Sequence, residues 1–160
     1  MLIDELIGTP MNCNKAKTAT DIVTIPRKFH MGDMSVFALL KATGYFELHD
    51  QVSVSDIREA RIRDPACVQE WMQYVDDLRC PSSWYFGSVD DENQYEVGFF
   101  DIKANPNRSH RVQYQNATNA CAAYIKHEIE SIRSHVIEDI QKHEQTVKRK
   151  RALNRAKDDQ

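Results

Sequence analysis

The strongest constraint on this chain lies near its C-terminus, where Ile125, Ile129, Ile132, Val136, Ile140 and Val147 recur at helical spacing. At roughly 100° per residue they fall in one narrow stripe. Lys126, His127, Glu130, Ser134, Glu138 and Gln141 lie on the opposite side. A helix starting near Thr118 and carrying such a stripe must cover it against another element.

The nearest cover is aromatic. Trp84-Tyr85-Phe86-Gly87-Ser88-Val89 and Tyr95-Glu96-Val97-Gly98-Phe99-Phe100 are rich in strand-forming residues, and Asp90-Asp91-Glu92-Asn93 between them reads as a polar turn. Placing Val89 opposite Tyr95 sets Phe86 across from Gly98, so that a ring covers a position without a side chain. A third strand, Arg111-Val112-Gln113-Tyr114-Gln115, follows the turn at Asn105-Pro106-Asn107. The expected fold is α+β, with short N-terminal helices, a three-stranded antiparallel meander and the long amphipathic C-terminal helix packed on the sheet.

The first half of the chain is less regular. Residues 1–30 show no sustained period; Asp21-Ile22-Val23-Thr24-Ile25 alternates as a short strand stopped by Pro26, which suggests an extension or loosely packed arm. Ser35 caps a helix carrying Val36, Phe37, Leu39 and Leu40, and Gly44 offers the left-handed position that ends it. Asp56 and Glu59 have the spacing of a capping box, which makes Arg61 fall beside Ile57 and Ala60 where an apolar residue belongs. Either that helix is very short or Arg61 snorkels out. Asp64-Pro65 then opens a helix with Val68, Trp71, Met72, Val75 and Leu78 on one face. The expected organisation is an arm (1–30), one domain (31–147) and a basic tail (148–160) that continues the last helix.

With 160 residues, one such domain is the natural size, and 5 Gly and 5 Pro exclude collagen-like or Gly/Pro-rich disordered chains. No stretch approaches the ~20 apolar residues that cross a bilayer. Asp4 and Glu5 stand where a secretory signal carries positive charge, so the expected location is the cytoplasm. Cys13, Cys67, Cys80 and Cys121 form no C-x-x-C pair and are expected to be reduced, mostly buried thiols.

Motifs that would define a reaction are missing. G-x-S-x-G, both glycine-rich phosphate loops, H-E-x-x-H and E-x-x-H do not occur. His135, Asp139 and His143 share one side of the last helix, but His143 lies on the apolar stripe and the other two border it, which fits boundary packing better than a metal site. The carboxylate pairs Asp76/Asp77 and Asp90/Asp91 are sequence neighbours that point apart or sit in a solvated turn. The expectation is a protein without catalytic activity, cofactor or metal.

Charge is the remaining signal. The net value of −3 hides a body, residues 1–147, with 15 basic and 22 acidic side chains, and a segment 148–160 with six basic and two acidic ones. Asp90, Asp91 and Glu92 at the hairpin tip, flanked by Tyr85 and Tyr95, form the candidate partner-binding surface for a basic protein. In the alternative, a nucleic-acid-associated regulator, Lys148, Arg149, Lys150, Arg151 and Arg155 contact phosphates. The stretches Asp56-Ile57-Arg58-Glu59-Ala60, Asp64-Pro65, Glu70-Trp71, Asp76-Asp77-Leu78-Arg79, Trp84-Tyr85-Phe86, Tyr95-Glu96-Val97-Gly98, Ala120-Cys121-Ala122 and Ile125 to Glu130 resemble small bacterial immunity proteins. Those are compact cytosolic proteins that neutralise a toxin delivered by a neighbouring cell. The resemblance spans about residues 52–132. It implies toxin binding without a reaction of its own. The acidic body and the missing reaction motifs lead to the expectation that the chain covers a basic partner, the nucleic-acid-facing site of a nuclease toxin. It transfers no individual functional residue. A monomer and a homodimer are both compatible with the sequence, and a membrane partner is not expected.

Overall fold

Pro26 does not stop a strand. In the computed structural model, which describes residues 10–77, 82–89, 93–101 and 109–158, the segment is helical. Helix α1 (Pro10–Val23) ends at Thr24, and Pro26 occupies the first turn of α2 (Ile25–Met31), where a missing N–H costs nothing. Lys17 and Asp21 pair at 2.8 Å along α1. Ala19, Ile22, Val23 and Ile25 are almost completely buried, so from Pro10 onward the expected arm is a wall of the core. The β-branched alternation that suggested a strand is overridden by this burial.

Ser35 caps α3 (Val36–Ala42) as its sequence suggests, accepting from the Ala38 amide. Gly44 takes the left-handed conformation, φ 77°, between α3 and α4 (Tyr45–Leu48). The next cap differs. Helix α5 (Val54–Arg63) begins one turn earlier than expected: Ser53 is the cap and Asp56 the reciprocal acceptor, taking the Ser53 amide at 2.8 Å. Lys15 of α1 also reaches Asp56, at 3.1 Å. The earlier start gives the helix room for three turns and carries Arg61 into the core, 4% exposed, where it neither ends the helix nor snorkels.

Burial alone pushes the Asp56 carboxyl up, but hydrogen bonds from Ser53 and the Lys15 charge outweigh it and hold the group below its ordinary 3.8. A depressed carboxylate contributes stability that is present above the unfolded value and is lost as pH falls. Asp56→Ala is therefore expected to cost about 1 kcal/mol near neutral pH. In urea titrations at stepped pH, the gap to the parent should close as the solution passes down through the ordinary aspartate range. A gap that stays constant through acid would show that the carboxylate's charge contributes nothing.

Helix α6 (Cys67–Asp77) buries Cys67, Val68, Trp71 and Tyr74. Arg27 of α2 ties the α5–α6 junction, donating Nε to Glu70 at 2.7 Å and Nη2 to Asp64 at 2.9 Å. The meander follows as β1 (Ser82–Ser88), β2 (Tyr95–Asp101) and β3 (Ser109–Tyr114), antiparallel in the order β1-β2-β3. Its register is one residue from the expected one: Ser88 pairs with Tyr95, and Tyr85, not Phe86, stands opposite Gly98. The ring still covers the glycine, since a Cβ on Gly98 would sit 2.5 Å from Tyr85 Oη. A bulge follows in β3, where His110 at φ 56° takes up the extra residue between the pairs Val97/Val112 and Phe99/Ser109.

Helix α7 (Ala117–Asp158) closes the fold. Its first turns are buried all round, from Ala120 to Ile125. Phe86 and Trp71 both meet Tyr124, at 5.0 and 6.0 Å between ring centroids, and Trp84 stacks on His127 at 3.8 Å. Lys126 and His127, read from sequence as the solvent side, are thus engaged. Lys126 donates to Tyr45 Oη, His49 O and Val52 O at 2.7–2.8 Å. The chain divides into Met1–Ile129 and Glu130–Gln160. Burial of the isoleucine stripe ends at the same place: Ile125 and Ile129 are 0% exposed, while Ile140 is 54% exposed.

Candidate functional site

The one-residue register change decides which side chains share a face of the sheet. Trp84, Phe86, Val97 and Phe99 pair on the face turned to α7, as the contacts of Trp84 and Phe86 with α7 rings confirm. Tyr85 and Glu96 therefore stand on the other face. There Tyr85 Oη donates to Glu96 Oε1 at 2.6 Å, and the carboxylate is 7% exposed. Arg111 of β3 lies beside them, and Tyr85, Gly87, Ser88, Val89, Glu96 and Arg111 line a half-open groove of about 400 Å³. Gly87 keeps one wall open, because a Cβ placed there would meet nothing within 4 Å.

The groove begins where β1 leads towards the hairpin tip, closed by the Val89 amide donating to Gln94 O at 2.9 Å. Of the residues proposed from sequence for partner binding, Tyr85 lines the groove. Tyr95 pairs with Ser88 on the opposite face, so the two tyrosines do not flank one surface. Asp90, Asp91 and Glu92 lie outside the described residues. Glu96 and Arg111 were not singled out by sequence reasoning. Strand alternation points to Glu96 only in the true register; the expected register puts it opposite Ser88, on the face away from Tyr85.

Chemically, the groove sets a phenol ring and a guanidinium beside a nearly buried carboxylate and an open glycine wall. On the other sheet face, burial lowers the His127 pKa, with nearby His110 adding to the effect, which favours the neutral form of the stacked ring. Cys67 and Cys121 are buried free thiols, as expected from sequence, and burial pushes Cys67 up to about 11. A buried thiol of this kind packs as a small apolar side chain.

The second candidate surface lies along α7. Lys148, Arg149, Lys150, Arg151 and Arg155 are all exposed there. His135 Nδ1 lies 2.7 Å from Ser131 O within the same helix. Among the described residues no three His, Cys, Asp or Glu side chains gather as a metal-ligating group. No described helix is long and apolar enough to cross a membrane.

No protein-family model, curated protein or solved structure matches the chain.

Proposed function

We propose that this chain is a binding protein that neutralises a toxin, of the nuclease type, by covering the toxin's basic site with an acidic surface. The observation that carries this reading is the surplus of acidic side chains in residues 1–147, 22 against 15 basic. Complementary charge of this kind steers encounter and raises association rates. The resemblance of residues 52–132 to bacterial immunity proteins supplies the class of partner.

The test is calorimetric titration of the whole chain against a nuclease toxin domain at several salt concentrations. Binding should weaken as salt rises. Reversing Asp90, Asp91 and Glu92 to lysine, or replacing Tyr85 by alanine, should each weaken it about tenfold or more. Binding indifferent to both variants, or absent against every basic nuclease toxin tried, would overturn the proposal.

A second reading rests on the five exposed cations of α7, which suit phosphate contacts in a nucleic-acid-associated regulator. Its signature is affinity for DNA or RNA that falls steeply with salt and disappears on removing residues 148–160.

A further inference from the structure

The apolar stripe of α7 continues past the point where the fold covers it. Up to Ile129 it is fully buried; beyond, Ile132, Val136 and Val147 are half-buried and Ile140 is exposed. Ile129 and Ile140 are eleven positions apart, as are Val136 and Val147. That interval, about 3.67 residues per turn, keeps a stripe nearly straight along a helix. The segment from Glu130 to Asp158 is a continuous helix of about 43 Å. A helix of this length with a half-exposed row of branched side chains gains stability from a second apolar surface.

We propose that the covering surface is the same segment of a second copy, and that the two helices pair antiparallel along Ile132, Val136, Ile140 and Val147. Charge selects this occupant and its direction. Residues 130–147 hold four acidic and two basic side chains, whereas residues 148–158 hold six basic and one acidic. A parallel pair sets the basic halves against each other. The antiparallel pair sets each basic half against the partner's acidic half, twice by symmetry.

One border of the stripe agrees. Asp139 and Lys150 both lie on it, at roughly 100° per residue. In an antiparallel pair each border meets the same border of its partner, so Asp139 faces Lys150 across the seam. Where the seam passes the basic half, arginine and lysine stems cover the partner's Ile132 and Val136 with methylene groups while their charged ends remain in water. Pairing would draw Lys150 and Arg151 into the seam and leave less free charge for phosphates.

Sedimentation equilibrium on the full chain tests the proposal. The parent should run at twice its 18.5 kDa chain mass in the micromolar range. Ile140→Lys changes an exposed residue, so circular dichroism should stay that of a folded chain, while the dissociation constant rises about tenfold or more. Asp139→Lys and Lys150→Asp should each weaken the dimer, and the two together in one chain should restore it, because the reversed pair is again complementary. A chain monomeric at every concentration would overturn the proposal. So would a dimer indifferent to Ile140→Lys, or a double charge variant weaker than either single one.

Discussion

Replacing Trp71 by alanine should remove about 3–5 kcal/mol of stability, a large part of the 5–15 kcal/mol typical of a domain. Trp71 is 0% exposed, and its ring meets Tyr74 at 5.2 Å and Tyr124 at 6.0 Å, both edge-on. Its Nε1 donates to the Val23 carbonyl at 3.1 Å, where α1 ends and the chain turns into α2. One side chain thus holds the N-terminal helices, α6 and α7 together. Alanine empties that volume and strips the Val23 carbonyl of its donor. Trp71→Phe keeps a six-membered ring in the site and loses the donor together with the pyrrole part of the indole, so its cost should be smaller than alanine's, about 1–3 kcal/mol. Urea unfolding followed by circular dichroism separates the two; an alanine variant within about 1 kcal/mol of the parent would show that the surroundings collapse into the space.

Trp71 was also among the residues most readily placed from sequence, because α6 has a strong helical period. The same holds for the aromatic hairpin, where the change from helical to alternating spacing at Trp84 marks the strand. What eluded the sequence has a common physical origin in long-range contacts. Ile22, Val23 and Ile25 read as a strand when their neighbours alone are considered; their helical state is fixed by burial. The register of β1 on β2 turns on a single residue, and two registers each offered a ring to cover Gly98. Tyr85 won over Phe86, and Phe86 instead meets Tyr124 of α7. No local pattern carries that choice, yet it decides that Glu96 shares a groove with Tyr85 and that Tyr95 does not. Lys126 follows the same rule: its spacing places it on the polar side of α7, and only the fold brings the carbonyls of His49 and Val52 to its ammonium group.

Arg61 is the residue for which sequence and structure disagree most, and replacing it by methionine should raise stability by about 1–4 kcal/mol. The guanidinium is 4% exposed, and its Nε and Nη1 have no hydrogen-bond partner among the described residues. The neighbouring carboxylates are engaged elsewhere or face away: Arg27 holds Asp64 and Glu70, Lys15 holds Asp56, and Glu59, two positions from Arg61, is exposed on another side of the helix. Cys67, whose thiol feels the Arg61 charge, offers no countercharge because burial keeps it protonated, with its pKa pushed up to about 11. In the unfolded chain Nε and Nη1 are hydrated, so folding loses their hydration without regaining it as hydrogen bonds. Methionine has similar length, an unbranched stem and no polar hydrogen, and it fits the stripe that Ile57 and Ala60 already define. The urea midpoint should move up with an unchanged slope. Arg61→Lys, which keeps a buried charge on a stem of similar length, should give no such gain, and comparison of the two separates the charge from the packing. A methionine variant less stable than the parent would mean that the guanidinium has a partner in the native protein, and that α5 carries a buried charge because something opposite requires it.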